Sequence, residues 1–540
     1  MSGGASARGF DVADYDAIVI GAGHNGLTAA AIMARGGLRV LCLEKNQYTG
    51  GMASTTELIR GYQFEIAGSV LFPMAEELFE DLGLGACPTL DAEVMSVNVG
   101  RPGTTPMIFY SDPEQLMNHI AETNGMDAVL GMAEIMEWSQ APARALGRFD
   151  LRTPPRTFDE MMATAANEKE REAIKTAMFG SVMDVVDRFL PDRERHAMLR
   201  GMLAFLAVNS TYRGPYTPGS ALCLAWAMAT PGGKMMRKLD GGIGALCDHV
   251  RKLAEENGAQ IRLHARVEQV CIDDGRVTGV RLNDGEVITA PVVVSNLDPT
   301  STFTRLVDPA LVPEELTQRV TSIDHRAAYV QIHFALSGLP EFTGEYAVLN
   351  RDKLRASMGM FGSPEEMQRD YEDCCRGVLP ESPSLGMQIP SVLDPKLAPD
   401  GKHAASAFAF YFPIVGTHEE QARLKDEMAE RVVAKIAAMA PNFPSLIERQ
   451  VVYASYAFEM MFGCTDGDFC HGLIHPELMG PFRPGPSGWP DMPFPFEGLY
   501  LSGAGCHGGP GVTFTPGYNA GYAVLDSMPA RAGKAVTSSV

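Results

Sequence analysis

Residues 16–45 read DAIVIGAGHNGLTAAAIMARGGLRVLCLEK, and three glycines in them, Gly21, Gly23 and Gly26, stand at the spacing Gly-x-Gly-x-x-Gly. The pattern carries chemistry only with an apolar strand before it and a helix directly after it. Both are present, as the run Ala17 to Ile20 and an alanine-rich stretch. Gly21 permits a tight turn, Gly23 lets a pyrophosphate touch the backbone, and Gly26 lets helix and strand pack closely. The helix N-terminus adds amide donors and the positive end of its dipole. A second apolar run, Val40 to Leu43, ends in Glu44, 18 positions after Gly26. A carboxylate there can accept hydrogen bonds from adenosine ribose hydroxyls and disfavours a 2′-phosphate, so NADP is not expected.

The stretch after Glu44, KNQYTGGMAST, separates FAD from NAD. A second glycine pair, Gly50 and Gly51, lies where an FAD enzyme of the two-dinucleotide-binding-domain type runs its backbone beside the pyrophosphate toward the flavin; an NAD dehydrogenase has no need of it. The expected cofactor is FAD. A third glycine-rich stretch, LSGAGCHGGPGVTFTPGYNAG at 501–521, repeats the spacing in Gly503, Gly505 and Gly508. No apolar helix follows it directly, and too little chain remains for a second strand with its acid, so it is not a second fingerprint. A helix is expected to start around Thr515 to Asn519, its N-terminus facing the flavin pyrimidine, where a dipole would stabilise the reduced ring. Glycines 508, 509 and 511 would then let a planar ring lie against backbone.

Three side chains are expected to carry polar chemistry: His507, able to hydrogen-bond the substrate or move a proton, His471 in the turn CHG, and Tyr518 at the start of the last helix. Asn519 and Tyr456 are weaker candidates of the same kind. His471 and His475, with Cys470 and Asp468 beside them, have a metal-like spacing, but no second cluster completes a tetrahedral set and Pro476 closes the segment, so no metal is expected.

Composition bounds the rest. The chain has 540 residues, 46% of them hydrophobic, enough for two or three domains around large cores, and a formal net charge of -21 that speaks against a nucleic-acid partner. Ten cysteines without a Cys-x-x-Cys support neither a zinc ribbon nor a dithiol centre and fit a reducing cytoplasm. The opening MSGGASARGFDVADYD has no apolar leader core, and nowhere do 18 uncharged apolar residues run together, so a cytoplasmic protein is expected, with transient contact to a membrane surface and homodimer formation left open.

The fold expected is α/β: a Rossmann-like FAD-binding domain assembled discontinuously from residues 1–90, 236–300 and 491–540, with a discontinuous α+β substrate domain. That second domain combines a Met-rich, mostly helical and lid-like insertion at 91–235 with a mixed segment at 301–490. Within 236–300 a helix ending at Asn257-Gly258 precedes β-rich runs at 260–272 and 277–282, turned at Asp274-Gly275 and Asp284-Gly285.

The motifs GAGHNGL, EKNQYTGGMAS, VVVSNLDP, IPSVLDPKLAPDGKH, DFCHGLIHPELMGPFRP and LYLSGAGCHGGPGV, in that order along the chain, resemble the phytoene-desaturase-related FAD oxidoreductases. The nearest branch is that of cyanobacterial-type β-carotene ketolase and pyridine nucleotide-disulphide oxidoreductase domain-containing protein 2. The resemblance implies that Gly21, Gly23, Gly26, Glu44, Lys45, Gly50, Gly51 and Met52 serve the ADP side and the approach to the flavin. It further implies Val267 as an adenine-contacting backbone position and Gly505, Gly511 and Val512 as the C-terminal flavin segment. Where relatives commonly have His-Pro, this chain has His507-Gly508, a looser turn. The activity implied is hydride exchange between FAD and a carbon of an apolar or carbonyl-conjugated substrate, carotenoid-like, isoprenoid or a cyclic ketone, most simply C–C desaturation with oxygen, a quinone or another carrier as electron acceptor. An isomerase or saturase without net oxidation, and a non-catalytic FAD-binding interaction protein, are the alternatives.

Overall fold

The apolar runs flanking the first glycines become the centre of a five-stranded parallel sheet. The structure is a computed structural model and describes residues 13–67, 71–100, 103–208, 212–229, 238–326, 328–351 and 353–528. The N-terminal stretch read as lacking a leader falls largely at residues 1–12, outside the described residues. The elements of this sheet are β1 (Ala17–Ile20), α1 (His24–Arg35), β2 (Val40–Leu43), α2 (Gly244–Glu256), β3 (Gln260–Arg262), β4 (Val293–Ser295), β5 (Leu499–Leu501) and α3 (Thr515–Ser527). The strand order is β5-β4-β1-β2-β3, and every pairing is parallel, with Ile18 opposite Val293, Val19 opposite Cys42 and Val293 opposite Leu499.

Both faces of this sheet are covered, which is why β1 and β2 are apolar at every position rather than alternating. Ala17 and Val19 face the helices α1, α2 and α3, while Ile18 and Ile20 face an antiparallel meander of Val267–Asp273, Arg276–Leu282 and Val287–Thr289. The run expected as one β-rich unit at 260–272 is therefore two strands. β3 ends the parallel sheet, and the next strand opens the meander. Helices α1 and α3 touch so closely that a β-carbon at Gly517 would lie 2.0 Å from the Asn25 carbonyl oxygen, and one at Gly521 2.8 Å from Ile32 Cβ. The two glycines let α3 lie on α1, so elements almost 500 positions apart in sequence, residues 24–35 and 515–527, pack together on one sheet.

A second, seven-stranded sheet runs in the order Ile447–Tyr453, Tyr329–Leu336, His403–Phe410, Leu385–Gln388, Ser357–Met360, Val94–Val99, Met107–Tyr110. Its first two members from the N-terminal side lie inside the stretch expected to be mostly helical: Val94–Val99 pairs in parallel with Ser357–Met360 and antiparallel with Met107–Tyr110. The short run VMSVNV has the β-branched content of a strand, and helices fill most of the insertion from Pro113 to Met228. One face of this sheet packs on the helix His418–Met439 through Ile332, Phe334, Val432 and Ile436. The other turns toward the helical insertion and the parallel sheet, and between them lies the cavity described next. No described helix is long and apolar enough to cross a membrane.

Candidate active site

The loop after β1 turns at Gly21, whose φ of +94° favours glycine, and delivers the start of α1 to the mouth of the parallel sheet. A β-carbon at Gly26 would sit 2.0 Å from the Gly21 carbonyl oxygen, so that residue closes the strand–helix corner. Glu44, buried at the end of β2, accepts from the Ala22 N–H (2.9 Å) and the Asn46 N–H (2.9 Å), one on each carboxylate oxygen. Each oxygen keeps a further acceptor site. The second glycine pair folds directly onto the first loop: the Gly50 N–H donates to the Ala22 carbonyl at 2.8 Å, and a β-carbon at Gly51 would lie 3.3 Å from Gly23 Cα. Asn296, just past β4, completes the corner by donating to the Gly21 carbonyl at 3.2 Å.

These residues form one end of a single cavity with about 1400 Å³ of atom-free space, including the part open to solvent. Of the sequence-derived set, Gly21, Gly23, Glu44, Gly50, Gly51, Met52, His471, Gly511 and Val512 line it. Gly26, Lys45, Val267, Gly505, His507 and Tyr518 lie outside the lining. Lys45 donates from Nζ to the Met460 carbonyl at 3.0 Å. Val267 is buried between the meander and β1–β2. His507 is buried, its N–H bound to the Pro484 carbonyl at 2.7 Å, and it faces Gly147. Tyr518 is buried against Tyr522, with ring centroids 4.8 Å apart.

The C-terminal glycines also have a different use from the one expected. A β-carbon at Gly503 would lie 2.6 Å from the Leu297 carbonyl oxygen, at Gly508 2.4 Å from Thr515 Cγ2, and at Gly509 2.2 Å from the Ala504 carbonyl oxygen. Side chains are excluded there by the chain's own coils, and of these glycines only Gly511 borders the cavity. The first turn of α3 docks on Asn25, whose Oδ1 accepts from the Gly517 N–H at 3.4 Å, and none of Thr515 to Asn519 lines the cavity.

The far end of the cavity is aromatic. Phe408 and Phe410 stand two apart on one strand and so on one face of the second sheet. Tyr329 begins the neighbouring strand and meets Phe469 edge-on at 4.8 Å, while Phe462 closes the helix Ser455–Phe462. Burial keeps the Tyr329 phenol protonated. Among the described residues that line the cavity, Glu44 is the sole carboxylate, and none is a lysine or arginine.

Two histidines also line the cavity. His24, the first residue of α1, packs edge-on to Phe514 at 5.4 Å; burial, with the nearby His471, pushes its pKa down to about 4. His471 holds the left-handed φ of +52°, and burial lowers its pKa as well, so both rings are neutral near pH 7. His24 Nε2 and His471 Nδ1 are buried without a protein partner. Sequence reasoning missed His24, Asn296 and the aromatic wall. Asn296 carried a readable signal, a polar residue at the carboxyl end of an apolar strand, where ligands bind in open α/β sheets. Among the described residues no three His, Cys, Asp or Glu side chains form a metal-binding group.

A glycine-walled end opening on a helix N-terminus, continuous with an aromatic end and with two unpartnered imidazole nitrogens in the lining, fits an elongated cofactor with phosphates at one end and a hydrogen-bonding ring at the other. Comparison with known proteins agrees. Residues 26–523 match the family described as flavin containing amine oxidoreductase. The chain is 28% identical to pyridine nucleotide-disulfide oxidoreductase domain-containing protein 2 of Mus musculus, covering 95% of this chain and 94% of that one. It is 25% identical to a limonene dehydrogenase component of Castellaniella defragrans over 96% of both chains, and 26% identical to phytoene desaturase of Neurospora crassa over 92% of this chain and 82% of that one. A solved oxidoreductase from Methanosarcina mazei shares the fold at a TM-score of 0.57 and 16% identity, over 95% of this chain and 100% of that one. The chain belongs to the flavin-containing amine oxidoreductase family, as an FAD-dependent oxidoreductase related to the phytoene desaturases.

Proposed function

We propose that the protein desaturates a C–C bond of an apolar, conjugated or isoprenoid molecule. The observation that carries this reading is the aromatic half of the cavity, continuous with the glycine-walled half and lined, among the described residues, by no charged side chain. Such a wall rewards burial of a hydrocarbon at roughly 25 cal/mol per Å² and offers an ammonium or carboxylate no counter-charge. The similarity to a phytoene desaturase and to a limonene dehydrogenase component supports the same substrate class.

Bound FAD supplies the acceptor for a hydride. The protein's part is to lay the substrate along Phe408, Phe410 and Phe469, to exclude water, and to take the proton that leaves the adjacent carbon. One C–H gives up a hydride, the neighbouring C–H gives up a proton, and the electron pair left behind becomes the new π bond. His471 is the proton acceptor in this reading: its ring is neutral, it lines the cavity and its Nδ1 is free. Reoxidation then falls to oxygen, a quinone or another carrier. The experiment is anaerobic mixing of the holoenzyme with an acyclic polyene hydrocarbon, a cyclic monoterpene hydrocarbon and putrescine in separate arms. Bleaching of the visible flavin band by a hydrocarbon, with a product two hydrogens lighter, is expected, and His471→Gln should slow it by about 10²–10⁴-fold. Bleaching by putrescine alone, or an isomerised product without bleaching, overturns the desaturase reading.

A further inference from the structure

His471 holds a left-handed conformation that costs any residue but glycine some strain, so its surroundings must hold it there. The residues on both sides of it are tied to one carboxylate. The Cys470 N–H donates to Asp468 Oδ1 at 2.7 Å and the Gly472 N–H to Asp468 Oδ2 at 2.5 Å, while the His471 N–H reaches the Asp468 carbonyl at 3.4 Å. Asp468 is fully buried. Its remaining partner is His325, with Nδ1 3.1 Å from Oδ2.

The hydrogen-bond directions fix the state of His325. The Thr300 hydroxyl gives its one proton to the Val320 carbonyl at 2.6 Å, so toward His325 Nε2, at 2.9 Å, it can only accept. The Asp468 carboxylate also only accepts. Both ring nitrogens therefore carry protons, and His325 is an imidazolium. Burial pulls its pKa down, but the Asp468 hydrogen bond and charge outweigh it and raise the value above the ordinary one. The carbonyl side of the same turn is fixed by a second buried cation: Arg483 donates to the Gly472 carbonyl at 2.7 Å and to the Ala504 carbonyl, which borders the cavity, at 2.7 Å.

We propose that Asp468, locked as a carboxylate against the His325 imidazolium, is the positioning residue that holds His471 in the conformation from which its ring reaches the cofactor cavity. The inference rests on His471 being the working side chain of the proposed reaction. Arg483 has the complementary task of fixing the turn to the C-terminal loop.

A double-mutant cycle on the FAD-loaded protein tests this, read by the flavin two-electron midpoint potential, a property that needs no substrate. Asp468→Asn is made in the native and in the His471→Gly background, where glycine accepts the left-handed turn without a carboxylate to enforce it. The lost charge acts in both backgrounds; the difference between them isolates the position of the ring. That difference is expected to be about tenfold in the flavin reduction equilibrium, or 29.6 mV for a two-electron couple. Equal shifts in both backgrounds overturn the proposal, as does an unshifted, flavin-loaded Asp468→Asn protein with His471 present. If Asp468→Asn does not fold, His325→Gln, which keeps a donor to Asp468 but removes the charge, should show the same background dependence at smaller size, and equal shifts would again overturn it. Failure of the proton-acceptor reading looks different: His471→Gln would leave hydrocarbon-driven bleaching unslowed, whatever the cycle returns.

Discussion

Histidines in this protein are mostly kept neutral by burial, and that gives its stability a pH signature. His333, fully buried between Ser406 and the Ile66 carbonyl, and His507, buried beside Gly147, both have pKa values pushed down to about 4 by desolvation. In the unfolded chain each returns to about 6.5. Between those values the unfolded state binds more protons than the native one, so stability rises with pH; it is complete above about 6.5 and is lost as pH falls toward 4, by up to about 3 kcal/mol per histidine. Thermal unfolding of the holoenzyme at pH 7 and pH 5 should show the loss, and His507→Gln should make it smaller. An equal drop in the variant would mean that His507 is not held neutral by burial. At this scale the sequence was legible where backbone geometry decides: Gly21, Gly23, Gly50 and Glu44 come together at one end of the cavity because the neighbours that place them lie within about 30 positions. His507 was chosen for its company of glycines, but those glycines serve chain-on-chain packing, and the histidine follows them into the interior instead of the cavity. The buried Asp468–His325 pair, 143 positions apart, carried no sequence signal at all.

Among the elements, the first fingerprint and the meander were readable because each is contiguous and punctuated by glycine, as at Asp274-Gly275, where φ values of 46° and 74° make the tight hairpin turn. The aromatic wall was not, since it is assembled from the strands at 329–336 and 403–410, the helix at 455–462 and the loop after it, and only sheet pairing decides which face of each strand meets the cavity. Helix α3 sits between these cases. Its beginning near Thr515 was legible, but its partner was not: the first turn serves α1, through Gly517 on Asn25, and Asn25 itself borders the cavity. Gly517→Ala should therefore act at a distance. The added methyl would have to displace the Asn25 backbone, at about 1–3 kcal/mol by analogy with overpacked cores. A lowered melting temperature together with faster FAD release is expected. A variant that melts lower but keeps FAD as tightly as the native chain would show that the α1–α3 contact does not support the cofactor end.

For the whole molecule, the decisive feature is that β1, β4 and β5, drawn from positions 17–20, 293–295 and 499–501, lie side by side, so that the glycine-walled pocket is complete only when distant parts of the chain have met. We propose that FAD bridges the N-terminal loop and the C-terminal segment around Gly511, which it can do only in the native state. Mass action then requires the stripped protein to gain about 1.4 kcal/mol of stability for each decade of free FAD above its dissociation constant, and its melting temperature to rise accordingly. Half-ligands discriminate further. ADP offers only the end assigned in that proposal to the Gly21–Gly26 loop and Glu44, and FMN only the ring end with one phosphate. Joined in FAD, the second half binds at the high effective concentration set by the first. Scanning calorimetry of the stripped protein should therefore show a large upward shift with FAD and smaller ones with ADP or FMN at equal concentration, and ADP and FMN together should still fall short of FAD. Should FMN match FAD, the nucleotide loop would have no hold on the cofactor, and Glu44, with the two backbone amides already on its carboxylate, would be a structural brace of the β1–β2 corner.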